Sequence, residues 1–139
     1  MTVHGIFMSF DEFFFHRRRT LRKWERWGHP VDTGFFAVCV AWLWLAPATE
    51  QTLYVYVILS VVSSMVIVKD EREHLLLCEP MEQFLHALLF VLHPVILGTL
   101  GVLKWLSPND SQLILPSFLL MVIGFGFYQV IYWNWWRRD

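Results

Sequence analysis

Six histidines, twelve carboxylate side chains and two cysteines are the groups in this chain able to bind a metal ion or move a proton. Their spacing says more than their number. Glu79, Glu82, His86 and His93 follow one another in steps of three, four and seven. On an α-helix those steps fall within a narrow arc of one face. Glu82 and His86, one turn apart, can share an ion. His93 lies two turns further along, roughly 10 Å by the helical rise. Pro80 suits the first turn of such a helix, where its missing N–H costs nothing, so Glu79 falls at or beside the N-cap.

Other segments carry the same chemistry. Glu71-Arg-Glu-His74 is an E-x-x-H sequence, and carboxylates with E-x-x-H on facing helices are the ligand pattern of di-iron and di-manganese bundles. Glu12 and His16 are an i, i+4 pair, and Glu25, His29 and Asp32 form a further polar group. The expected ligands are Glu82, His86 and His74. Glu79, Glu71, His16, Glu12, His29 and His93 are further candidates. Mixed carboxylate and imidazole donors suit iron, manganese or zinc, and such an ion activates water or dioxygen. The chemistry expected is that of a metal-dependent oxidoreductase, or in second place a hydrolase, acting on a lipid or other apolar substrate.

Each group also has a plain structural reading. The charged stretch from Lys69 to Glu73 fits a solvated linker. Glu12 and His16 can meet lipid headgroups or the adjacent arginines. His29-Pro30 reads as a turn ahead of a helix, and His93-Pro94 as a kink whose imidazole caps a freed carbonyl. Glu82 and His86 can be a buried ion pair. Gln129 and Tyr132 read first as interhelical hydrogen-bonding groups, and in second place as partners that support the stripe from behind.

Several chemistries lack their residues. A haem between helices needs histidines inside two facing helices, and the other long apolar segments have none in their interiors. The clustered histidine boxes of membrane desaturases, H-E-x-x-H, a phosphate-binding glycine loop and a nucleophile elbow are all missing. Cys39 lies in an apolar run and Cys78 in a charged connector, so no disulfide is expected, and there is no C-x-x-C. Nucleic-acid binding has no basis, because the basic residues abut apolar segments and follow from topology.

The elements that must position these groups are apolar helices. Hydrophobic residues make up 56% of the 139, above the ordinary share for a soluble domain. They gather in four blocks, about 31–48, 52–68, 84–106 and 113–136, each near the length that crosses a bilayer. The fold expected is an all-α integral membrane protein: one four-transmembrane-helix bundle with an N-terminal interfacial amphipathic helix. Ten of the eleven lysines and arginines fall on one side of such a bundle and only Lys104 on the other, which by the positive-inside rule puts both termini in the cytoplasm, as in a bacterial inner membrane. All six histidines then lie in the cytoplasmic half. Tryptophans at both ends, among them Trp133, fit aromatic belts.

Residues 1–27 show no basic residue ahead of their apolar part, so they do not resemble a cleaved signal. They fit a helix lying in the interface or packing under the bundle over its cytoplasmic mouth. Ser60, Ser64, Gly98, Gly101, Gly124 and Gly126 are the small residues expected to let helices approach. Expected partners are membrane lipids, with a homo-oligomer or larger membrane complex also possible. A rival to an enzyme is a non-enzymatic small subunit or assembly factor of such a complex, its polar stripe serving helix pairing or a proton path.

Overall fold

A computed structural model describes residues 2–18, 21–70, 75–76 and 78–137. The first element, α1 (Thr2–Phe10), continues through a π-helical turn (Asp11–Phe15) into a last turn at His16–Arg18. Four longer helices follow: α2 (Lys23–Leu45), α3 (Glu50–Ile67), α4 (Pro80–Leu106) and α5 (Pro108–Ile131). A second π-helical turn, Tyr132–Trp136, closes the last of them. Among the described residues there is no strand.

The starts of the helices are written locally. The Arg22 backbone N–H donates to Glu25 Oε2 at 3.0 Å, and Thr49 Oγ1 accepts from the Thr52 N–H at 3.2 Å. Both satisfy donors that a helix start leaves over. Glu79 stands at the N-cap of α4 with Pro80 behind it. The turn expected at His29-Pro30 is absent, and α2 runs straight through Pro30. A proline cannot pair with the carbonyl four residues back. That carbonyl, of Arg26, accepts instead from Asn134 Nδ2 at 3.3 Å, so α5's tail makes good the loss.

Among the described residues, three helices are long and apolar enough to cross a membrane: α3, α4, and α5 with its π-helical end. α2 is not among them, because His29, Pro30 and Asp32 shorten its apolar stretch. In the apolar stretch of α4, 44% of residues are buried, against 17% for α3 and 22% for α5, so α4 is the inner helix of the three. α3 and α5 turn side chains such as Tyr54, Met65, Leu113 and Leu120 outward.

The interior has two storeys. One is a hydrocarbon core of Phe36, Cys39 and Leu43 from α2, Leu97 and Leu100 from α4, and Leu115 from α5, with Tyr56 the main contribution of α3. Tyr56 donates its hydroxyl to the Leu97 carbonyl at 2.6 Å. A side-chain carbon at Gly101 would lie 3.0 Å from Tyr56 Cε1, so that glycine is where the ring fits. Gly126 gives similar room to Thr33, whereas Gly98 and Gly124 have nothing within 4 Å and serve no close approach. The other storey is polar. It lies where α2 and α4 begin and α5 ends, and the N-terminal segment packs onto it.

Candidate metal centre

The N-terminal segment packs against α4. Its inner face carries Asp11, Glu12, Phe15 and His16, all buried, while Val3, Ile6, Phe10, Phe13 and Phe14 stay exposed. The segment thus covers the polar end of the bundle with one face and turns an aromatic face outward. Arg17 and Arg18 fold back over Phe13 and Phe14, keeping their charges at the rim.

Asp11, His16, Glu82 and His86 meet beneath it. One donor atom from each lies within 4.8 Å of all the others, and all four residues are buried. His16 Nε2 is 3.4 Å from Asp11 Oδ2 and 3.8 Å from Glu82 Oε1, and His86 Nε2 is 3.3 Å from Asp11 Oδ1. Charge-assisted N–H···O hydrogen bonds close to about 2.7–2.9 Å. Ligands about 2.1 Å from one ion stand roughly 3.4 Å apart at a tetrahedral site. The observed gaps lie nearer the second spacing than the first, with Asp11 meeting the two histidines through different oxygens, and two carboxylates with two neutral imidazoles balance a divalent cation. This group could hold a metal ion.

The π-helical turn explains how Asp11 arrives. A π-helix bonds residue i to i+5, and the His16 N–H donates to the Asp11 carbonyl across that turn. Side chains five apart, which diverge on an α-helix, are thereby brought to one face. Asp11 was missing from the sequence-based set for that reason. An i, i+5 Asp/His pair beside an i, i+4 Glu/His pair was the only signal available.

Glu12 stands one layer out. Its Oε2 faces His16 Nδ1 at 3.7 Å and accepts from Gln129 Nε2 at 3.2 Å, while Oε1 accepts from the Trp133 indole N–H. Gln129 Oε1 in turn accepts from the Thr33 hydroxyl at 2.8 Å. Gln129 and Trp133 are therefore more than an interhelical bond and a belt residue: they fix the carboxylate that orients His16. Burial alone would raise the acids of Asp11 and Glu12. The neighbouring imidazoles, His16 first, outweigh it and hold both below the usual carboxylate range.

The other expected ligands scatter. His29 stacks on His16 with ring centroids 4.7 Å apart, close to the group but not within it. Glu79 is exposed at the α4 N-cap. His93 lies two turns away, and its Nε2 is 3.0 Å from Ser63 Oγ, so it does not cap a carbonyl freed by Pro94. Glu25 is used in capping α2, and Asp32 takes both oxygens to Lys69 Nζ at 2.6 and 2.7 Å. Glu71 and His74 lie outside the described residues.

A cavity of about 190 Å³ opens beside the group. Asp11, His16 and His86 line one end, and His4 and His93 also border it. Its walls between are apolar, with Met8, Leu89, Phe90, Phe118 and Phe125 among them. Burial and the nearby N-terminal ammonium lower the His4 pKa from 6.5 to about 4, so its imidazole is neutral at ordinary pH. Comparison with protein-family models, with curated proteins and with solved structures finds no match for this chain.

Proposed function

We propose that this chain is a four-span membrane metalloprotein with its metal ion at the cytoplasmic interface, held by Asp11, His16, Glu82 and His86. The observation that carries the reading is the convergence of four buried donors from two distant segments on one point. Burying carboxylates is costly unless they are paired or bind metal. The fourth span is α2, whose charged start belongs at the interface. It packs against α5, and the ten-to-one split of basic residues supports cytoplasmic termini.

Three of the four donors border the cavity, so a molecule there sits within reach of the ion. A bound ion polarises substrate or activates water or dioxygen. The apolar walls favour a lipid or similar substrate, with an oxidoreductase as the first reading and a hydrolase as the second. Iron retained under anaerobic preparation, with oxygen uptake on adding substrate, favours the first. Zinc favours the second.

Elemental analysis of detergent-purified protein tests the site itself. One ion per chain is expected, with marked loss in Asp11→Ala, His16→Ala, Glu82→Ala and His86→Ala variants that remain folded. Well below one ion per chain in both aerobic and anaerobic preparations defeats the reading and leaves a network of ion pairs in its place.

A further inference from the structure

The cavity beside the metal group has a second polar end. His93, buried on α4, and His4, on α1, border it two helical turns from His86. Their ring centroids are 6.5 Å apart, and Phe36 lies against both, stacked on His4 and edge-to-face with His93. Ser63 of α3 fixes His93 through its Nε2 at 3.0 Å. With Nε2 held by Ser63, His93 keeps Nδ1 for a ligand, and two imidazoles at this centroid separation can both reach one oxygen atom, since each N–H···O or O–H···N contact spans about 2.8 Å.

The distance between the two ends is set by α4. His86 and His93 are seven residues apart, or about 10 Å along the axis. Leu89 and Phe90 form the wall between them. The space is therefore elongated along the helices. Its volume somewhat exceeds the roughly 150 Å³ that holds a benzene ring in a protein interior.

We propose that His4 and His93 form an anchoring site for the oxygen of a neutral amphiphile, a hydroxyl or carbonyl compound. The hydrocarbon chain of this amphiphile runs along the cavity towards the metal group. This rests on, and deepens, the reading of the cavity as the substrate site. The depressed pKa of His4 favours a neutral partner over a carboxylate, because no imidazolium is there to meet an anion. A ligand arriving from the bilayer gains nothing from apolar walls, because lipid tails are equally apolar. Recognition then falls on the one oxygen, which would lack hydrogen bonds among lipid tails and finds them here. In this arrangement His4 and His93 are positioning residues, and the chain's far end is what the metal ion meets.

The test uses the full chain in lipid nanodiscs and two probes, 1-decanol and n-decane, each with a terminal trifluoromethyl group read by fluorine NMR. Empty nanodiscs supply the background, and metal content is measured in parallel. Wild type should bind the alcohol in preference to the alkane. His93→Phe and His4→Phe should each lower alcohol affinity about 5- to 10-fold, the loss of one hydrogen bond in an apolar site, and leave alkane binding unchanged. His93→Gln, which keeps a polar group, should recover part of the loss. Substitution with Mn²⁺ should broaden the bound trifluoromethyl signal strongly, placing the chain end near the metal. Equal binding of both probes by wild type, or equal loss of both in the variants, overturns the anchor. Selective loss of the alcohol in a protein without metal sustains the anchor and defeats only the metal reading.

Discussion

Glu12→Gln separates a metal centre from a buried ion-pair network. The Trp133 N–H points at one oxygen of Glu12, so a glutamine keeps its carbonyl there and turns its NH₂ towards His16 and Gln129. Gln129 can flip its amide to accept, with the Thr33 hydroxyl changing from donor to acceptor. The hydrogen bonds re-form, and the cost to folding is about 1 kcal/mol. His16 fares worse. An NH₂ facing Nδ1 forces the imidazole proton onto Nε2, the atom aimed at Asp11 and Glu82. A protonated Nε2 cannot ligate. Loss of the group that orients a ligand typically costs 10- to 100-fold in metal affinity, about 1.4–2.8 kcal/mol. Competition for Zn²⁺ or Mn²⁺ against a fluorescent chelator measures it, with thermal unfolding as the control for folding. Unchanged affinity in a folded Glu12→Gln protein refutes the role given to Glu12. A loss of stability of several kcal/mol with no metal dependence refutes the metal centre and favours ion pairs.

Gly101→Ala should destabilise by up to about 2 kcal/mol in detergent unfolding, because overpacking against the tethered Tyr56 ring outweighs the gain in helix propensity. Tyr56→Phe should relieve it by freeing the ring, and Gly98→Ala, with open space around it, should be neutral or mildly stabilising. Docking of the N-terminal segment should weaken as pH falls from 6.5 towards 4. His4 binds its proton more weakly when docked, so its contribution is whole above pH 6.5 and lost below as the released segment takes up a proton. Hydrogen exchange of residues 2–18 checks this, and His4→Phe should flatten that part of the profile. Asp32→Asn should cost about 1–3 kcal/mol by removing the charge that Lys69 holds with two hydrogen bonds. A double-mutant cycle with Lys69→Met should return a coupling energy, whose absence would mark the pair as unimportant.

The helices were legible because apolar runs of bilayer length leave little else to build. Pro80, the Glu79 cap and the inward stripe of Glu82, His86 and His93 followed from helical periodicity alone. Three things were hidden. Asp11 depends on a π-helical turn, which no α-spacing announces. The helix through Pro30 depends on Asn134, a side chain more than a hundred residues away that takes up the stranded carbonyl. Trp133 has the composition of a belt residue, yet it is 2% exposed because the Glu12 carboxylate draws its indole inward. Each is a tertiary partner overriding a local preference, and a single sequence does not name partners.

The division of the four donors between the N-terminal segment and α4 has a consequence for biogenesis. Asp11 and His16 leave the ribosome first, and two whole helices are made before Glu82 and His86 appear. Until then the nascent chain would offer the proposed ion only a two-donor half-site, with a weak and exchangeable hold. On the proposed reading, firm retention of an ion would begin only once α4 is in place and the first segment has packed against it. A truncated or inverted chain cannot close the ring of donors. If the proposed centre holds, the metal content of a preparation would measure how much of the chain had completed its assembly, so that apo-protein would mark unfinished assembly as much as metal scarcity.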